Sequence, residues 1–407
     1  MPALAQRLPG IDAARGIALL GMVATHILPL MGAGAEPTPV GLLVSGRAAA
    51  LFAVLAGIGL ALSTGKQTPR QGRTLRAGQR SVGARALVLL AAGLTLGMVH
   101  VNVAVILVQY AALFLCILPF LGLRLPALAA WAGGWILLSP VAGYLLRPLL
   151  AEHLAPHGLG RLAGGSASWD SLQQPGLLLA DIFVTGYYPV LQWISYLLVG
   201  LVLGRLALHR AGVQLALLAA GALVAFAARN IGSFFLDYLG GLDALLQTPA
   251  AARGPLRSLL QVDLAWVDQS GSWWWLATAA PHSGTTLDLI QTSAVAAAVV
   301  GLCLLLTRLH PRILLPLSGA GVMTLTLYCA HVLTLSRLLE LWPTTGRPPG
   351  WTTEQLFGAQ AVAVLLTGTV FALLQWRGPL ELTAHAADAL AAGRSRSGRD
   401  TIRAKAR

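Results

Sequence analysis

Charge is what this chain has least of. Only 11% of its 407 residues are Asp, Glu, Lys or Arg, where a soluble domain carries roughly a quarter. Acid is the scarcer sign, with 15 Asp and Glu against 28 Lys and Arg, for a net charge of +13. So few charges cannot cover a soluble surface. The apolar share is 56% and the mean hydropathy +0.71, and the apolar residues gather in runs near 20 residues, the length that crosses a bilayer. Cysteine is scarce too. Cys116, Cys303 and Cys329 all sit inside apolar runs, as small core residues that give neither a disulfide framework nor a metal pattern. No GxSxG elbow occurs, which disfavours a serine hydrolase of the soluble type. "EHLAPH" breaks at Pro156 and is no HExxH helix. The histidine spacing builds no zinc site, so no metal is expected.

A basic chain can mean nucleic acid, but the distribution argues otherwise. Lys66 to Arg85 holds six basic residues and no acid, and a second cluster follows Arg394. Both flank apolar helices and carry no interleaved aromatics for base stacking. They read as positive-inside signals that touch anionic membrane lipids, and nucleic acid is not an expected partner.

Ten spans fit the hydropathy, near 11–31, 46–63, 85–101, 104–122, 126–146, 187–205, 212–230, 288–307, 314–339 and 355–375. The expected fold is all-α, a polytopic transmembrane helical bundle of about ten spans with both termini cytoplasmic, in a bacterial inner membrane. Two basic, inward ends require an even count, and Arg124, Arg205, Arg210, Arg308 and Arg312 then fall on the inner side. "LLLADIFVTG" (177–186) is too short to span and reads as a half-helix packed in protein, which would make eleven. Residues 1–382 are expected to form one transmembrane domain with outer segments near 147–186 and 231–287. Residues 383–407 read as a basic, disordered cytoplasmic tail. Small residues on many spans leave a homodimer open.

Ionisable groups inside spans are expensive and face the protein interior or a wet cavity. Asp12 and Arg15 share a helix face at the start of the first span. They serve either as a cap and ion pair or, through Arg15, as a grip on a phosphate. His26 lies about four turns from Asp12, either satisfied by a neighbouring helix or acting as a base toward an attacking hydroxyl or amine. Arg47, at the mouth of the second span, either snorkels or steadies a developing oxyanion. The glycines of "GIG" (57–59) permit close helix contact. Tyr328 and His331 share a face, as an interhelical network or as substrate contacts, with Ser318, Thr324 and Thr326 adding hydroxyls. His282 and Asp288, in "PHSGTTLD", form either a carboxylate–imidazole pair or a turn and helix cap. "SWWWLAT" (272–278) reads as an interfacial aromatic belt, with substrate stacking at Trp274 as the functional alternative.

Several stretches resemble a known family. They are "GIDAARGIALLGMVATH" (10–26), "SGRAAALFAVLAGIG" (45–59), "YYPVLQWISYLLVGLVLGR" (187–205), "PHSGTTLD" (281–288), "PLSGAGVMTLTLYCAH" (316–331) and "RGPLE" (377–381). They look like the YeiB-like membrane proteins and the catalytic domain of heparan-alpha-glucosaminide N-acetyltransferase, within the transmembrane acyltransferases. The resemblance implies acyl transfer across a membrane. An acyl-CoA, acetyl-CoA foremost, is the cytoplasmic co-substrate, and the acceptor is a hydroxyl or amine of an extracytoplasmic sugar, cell-envelope glycan or lipid. His26 falls where the sugar acetyltransferase has an asparagine, and this chain has no histidine in the loop after the first span, where that enzyme has its proposed catalytic one. On this reading His26 replaces the base, with Arg47, His331 and His282 completing the catalytic set. Asp12, Arg15, Arg73, Arg76, Arg80 and Arg85 meet the CoA phosphates, and Tyr328, Asp288 and Trp274 meet the acceptor. The alternative is a transporter of a small molecule or lipid, which would show broken helices.

Overall fold

The computed structural model describes residues 8–154, 166–310 and 312–391. Helices make the whole architecture: α1 (Pro9–Ile27), α2 (Pro39–Leu43), α3 (Arg47–Ser63), α4 (Gly72–Leu96), α5 (Leu107–Cys116), α6 (Leu125–His153), α7 (Pro175–Ala180), α8 (Val190–Gly204), α9 (Ala211–Asp237), α10 (Gly241–Leu246), α11 (Leu256–Val262), α12 (Thr286–Leu309), α13 (Leu315–Val322), α14 (Thr324–Leu341), α15 (Thr353–Leu373) and α16 (Pro379–Ala391). Among the described residues there is no sheet, only an isolated bridge between Met31 and Pro37.

The chain is a multi-pass membrane protein, but the expected ten or eleven spans need correction. Five helices are long and apolar enough to cross a bilayer: Pro39–Ser63, Leu125–His153, Ala211–Asp237, Thr286–Leu309 and Thr353–Leu373. Two bent pairs raise the number to at most seven: Pro175–Thr185 with Val190–Gly204, bent by 50°, and Leu315–Val322 with Thr324–Leu341, bent by 84°. The missing spans have physical reasons. The run near 104–122 gives only a ten-residue helix, α5, followed by a 3-10 turn at Leu118–Gly122. The run near 85–101 is the apolar end of α4, whose first half is basic. α1 has 19 residues, but Asp12, Arg15 and His26 dilute its apolar character. Pro9, Asp12 and Arg377 line one cavity, so α1 begins at the end of the bundle where α15 finishes. α16 runs through the position where a tail was expected to begin, and residues 392–407 lie outside the described ones.

Small residues set the core. Lipid tails are as apolar as leucine, so helices in a bilayer gain from close packing rather than from escaping water. A Cβ on Gly57 would lie 2.3 Å from the Leu197 carbonyl oxygen, and one on Gly200 would lie 2.1 Å from that of Val54. Only glycine lets α3 and α8 approach this closely. α1 meets α13 in the same way, since a Cβ on Gly321 would lie 1.7 Å from the Asp12 carbonyl oxygen. Arg205, 3% exposed, fastens one end of this core. Its guanidinium donates to the carbonyls of Lys66 at 2.6 Å, Leu121 at 2.7 Å and Ala61 at 3.2 Å, tying the turn after α3 to the 3-10 turn after α5.

A second, smaller core gathers Leu245, Leu256, Leu264 and Trp275. It forms a cap over the other end of the bundle, and the turn that carries His282 leaves it to enter α12.

Candidate active site

The two histidines singled out in separate spans meet. His26, near the end of α1, places Nδ1 3.0 Å from Nε2 of His331, two turns into α14. The rings meet edge to edge and nearly coplanar, with centroids 5.2 Å apart and planes within 13°. His331 is 3% exposed, and its Nδ1 lies 2.5 Å from Oε1 of Gln360 on α15. With the Gln360 amide oriented so that Oε1 faces His331, the chain of groups has a direction: that oxygen only accepts, so His331 Nδ1 carries the proton and its Nε2 accepts from His26 Nδ1–H. That leaves His26 Nε2 as the lone-pair nitrogen, on the ring edge away from His331, in a residue that lines the outer cavity.

Three cavities follow α1. The outer one, about 730 Å³, is lined by His26, Ser45, His100, Tyr188, Trp266 and His282 among others. The inner one, about 810 Å³, is lined by Asp12, Arg15, Gly59, Lys66 and His209. A middle cavity of about 360 Å³ is largely apolar, with Phe52, Leu89, Tyr110, Phe114 and Tyr328 in its wall. It shares Arg15 and Gly59 with the inner cavity and Met22 with the outer. The three therefore border one another along the helix that carries Arg15 at one end and His26 at the other. Eleven residues of helix separate those two by about 17 Å.

At the inner end Arg15 donates to Asp12 Oδ1 at 2.8 Å, with the Arg15 side chain 28% exposed. The pairing is the expected one, and the guanidinium still borders both cavities. Arg73, Arg76 and Arg80 are exposed along the start of α4. Arg85 borders the middle cavity and donates through Nε to Asp388 of α16 at 2.6 Å.

At the outer end the aromatic rings close around His282. Its ring lies 4.6 Å from Tyr187, 5.8 Å from Tyr188 and 6.2 Å from Trp193, centroid to centroid. Its Nδ1 is buried with no hydrogen-bond partner. Burial holds His282 below the usual histidine range, while Asp263 opposes and Arg47 reinforces that shift. Of the two alternatives for His282 and Asp288, the turn and helix cap is the one observed, and the carboxylate–imidazole pair does not form. Asp288 instead caps the start of α12, accepting from the Gly284 amide at 3.0 Å and the Thr292 hydroxyl at 3.0 Å.

Arg47 is near enough to His282 to act on its charge but makes no hydrogen bond to His26, His331 or His282 among the described residues. Its guanidinium donates to the carbonyls of Leu42 at 2.9 Å and Ser45 at 3.3 Å and so holds the turn between α2 and α3. Two of the hydroxyls expected to join Tyr328 and His331 are committed elsewhere, Ser318 to the Leu315 carbonyl and Thr326 to Glu381. Trp274 packs in the smaller core, beside Gly241 of α10. Among the described residues no group of three or more His, Cys, Asp or Glu is placed to hold a metal ion.

Residues 7–236, more than half of the chain, match the family described as heparan-alpha-glucosaminide N-acetyltransferase, catalytic. The chain belongs to this family. No curated protein matches it. Within the heparan-alpha-glucosaminide N-acetyltransferase match lie Asp12, Arg15, His26, Arg47 and the arginines of α4, while His282, Asp288, His331 and Gln360 follow it. The histidine pair thus joins a residue inside the matched stretch to two beyond it. The chain carries an acyltransferase-type catalytic domain in a membrane.

Sequence reasoning missed Gln360, Tyr188, Ser45 and Trp266. Gln360 had a signal, since an amide inside an apolar helix wants a partner. Tyr188 stood in a quoted motif but was read only as part of a pattern. Ser45 and Trp266 gave no signal, because only the turn before α3 and the cap over the bundle bring them to the cavity.

Proposed function

We propose that the protein is a transmembrane acyltransferase that takes an acyl group from acyl-CoA at the Arg15 end and passes it to a polar acceptor in the outer cavity. The relay of His26, His331 and Gln360 carries this reading. His26 lines the outer cavity one turn from Met22, which that cavity shares with the apolar middle one, and the hydrogen bonds leave His26 Nε2 as an acceptor. The quoted motifs support a YeiB-like branch, and the basic clusters support a cytoplasmic Arg15 end.

Each group then has a task. Arg15, with Lys66 and His209 around the inner cavity, holds the donor's phosphates, which a guanidinium grips in two-point contact. Arg73, Arg76 and Arg80 raise the local concentration of the anionic donor. The middle cavity, with Tyr328 in its wall, takes the donor's uncharged arm. His26 Nε2 receives the acceptor's proton, and His331 shares the resulting charge through the Nδ1–H between the rings. Gln360 keeps His331 in the tautomer that accepts. Tyr188 and Ser45, on the outer wall, supply hydroxyls toward the charge that develops on the carbonyl oxygen.

Transport is the second reading. It is favoured by the two broken helix pairs, bent by 50° and 84°, a feature of transporter sites. Acetyl-CoA turnover by the purified protein separates the two readings. The transferase releases free CoA, and His26→Ala abolishes release while still binding acetyl-CoA. Turnover that persists in His26→Ala removes it as the base, and a folded sample that neither binds nor cleaves acetyl-CoA favours transport.

A further inference from the structure

We infer that the acceptor is a neutral carbohydrate hydroxyl, so that the product is an ester rather than an amide. This rests on the acyltransferase reading above and concerns the acceptor side of the same site.

The walls of the outer cavity carry no charge. Among the described residues its polar lining comes from Thr25, Ser45, Asn102, Ser166, the tyrosines and three histidines, with no Asp, Glu, Lys or Arg. The carboxylates adjoining it are already engaged. Asp263 accepts from the Tyr187 hydroxyl at 2.8 Å and from the Ala265 amide at 2.8 Å, and Asp288 caps α12. An amino sugar enters from water largely as an ammonium ion. Among the described residues no carboxylate lines the cavity to pair with that ion directly, so its desolvation is poorly offset. A hydroxyl enters neutral and pays no such penalty.

The bonding groups point the same way. A hydroxyl both donates and accepts, so it pairs with the histidines, hydroxyls and Asn102 of the wall whichever way each presents its proton, whereas an ammonium only donates. The relay also has a use that a hydroxyl needs more. A neutral amine attacks a thioester unaided, but an alcohol at neutral pH needs its proton removed. Tyr187, Tyr188 and Trp266 give the cavity aromatic faces, with the Tyr187 and Trp266 rings 5.7 Å apart. Such faces accept the apolar side of a sugar ring, and about 730 Å³ lies within the usual range of small-molecule sites.

The step balances. The acceptor O–H gives its proton to His26 Nε2 as the oxygen bonds to the thioester carbonyl carbon. The carbon–sulfur bond then breaks, and the departing sulfur takes the proton back from His26. The products are an ester and free CoA thiol.

The test uses the full chain in lipid nanodiscs with acetyl-CoA and three acceptors: methyl glucoside, methyl N-acetylglucosaminide and methyl glucosaminide. Mass spectrometry and hydroxylamine lability distinguish esters from amides. The two neutral glycosides should gain a hydroxylamine-labile acetyl group, with kcat/KM at least about tenfold above that of the amine. Trp266→Ala should raise KM for methyl glucoside about tenfold with kcat little moved, and Trp266→Phe should restore it. Preferential formation of a hydroxylamine-stable amide on the glucosaminide overturns the hydroxyl assignment and leaves the acyltransferase standing. Acetyl-CoA cleavage that none of the three glycosides raises does the same. A folded protein that neither binds nor cleaves acetyl-CoA overturns both.

Discussion

His26 Nδ1 and His331 Nε2 lie 3.0 Å apart across 305 residues of sequence. One hydrogen bond thus joins a residue that the family match covers to one that it does not. If the two rings act as one base, their losses overlap. His26→Ala and His331→Ala should each lower acetyl transfer about 10²–10⁴-fold, the usual worth of a positioned base. The double variant should be no worse than His26→Ala alone, since residues that act as a unit are not additive. Losses that multiply would mean two separate roles. Gln360→Glu should keep most activity, because its carboxylate accepts the same bond from His331. Gln360→Ala should lose about tenfold. CoA release followed with a thiol reagent measures all of these.

Arg15 should govern donor binding rather than chemistry, because it borders the inner and middle cavities and lies about 17 Å of helix from His26. Arg15→Glu should raise KM for acetyl-CoA about 10–100-fold, by loss of a charge-assisted contact and gain of repulsion, with a much smaller change in kcat. A KM that stays put, measured with saturating acceptor, would remove Arg15 from the phosphate site.

The all-helical class and the membrane were legible from scarce charge together with apolar runs near 20 residues. Individual polar residues were legible too, because Asp12, His26 and His331 each stand out against an apolar run. Their partners were harder to read. His26 was weighed alone, and nothing local says that α14 turns by 84° after α13 to present His331 to it. Arg47 looked like an oxyanion group, but the turn it starts has carbonyls nearer to hand. The span count failed for a related reason. Hydropathy windows see apolar length, but they do not see that α5 stops after ten residues or that α13 and α14 break.

That break creates a need that Glu381 meets. The α14 helix starts inside the bundle, so its first amides have no water to pair with. The Glu381 carboxylate, from α16, accepts from the Leu325 amide at 2.7 Å, the Thr326 amide at 3.2 Å and the Thr326 hydroxyl at 2.6 Å. Glu381→Ala should cost about 1–2 kcal/mol, as for the loss of a good cap. The thermal midpoint should fall by a few degrees. Glu381→Gln keeps one acceptor oxygen and should fall less. An alanine variant as stable as the parent would show that α14 starts without this cap.

His282 should make stability depend on pH. Its neighbours are Tyr187, Tyr188, Trp193, Asp263 and Arg47. Burial is the larger influence and holds its folded value below the ordinary histidine range. As pH falls below about 6.5, the unfolded chain takes up a proton that the folded chain refuses. Stability therefore rises with pH across that interval, and acid removes it. Asparagine is the substitution to use, because His282 has a backbone φ of 58°, a region that asparagine tolerates better than most residues. The two proteins should show parallel thermal midpoints above pH 7. From pH 7 to 5 the parent should lose more than His282→Asn, since the variant has no ring to protonate. Curves that stay parallel down to pH 5 would show that the ring takes its proton as readily folded as unfolded, which contradicts a buried Nδ1 without a partner.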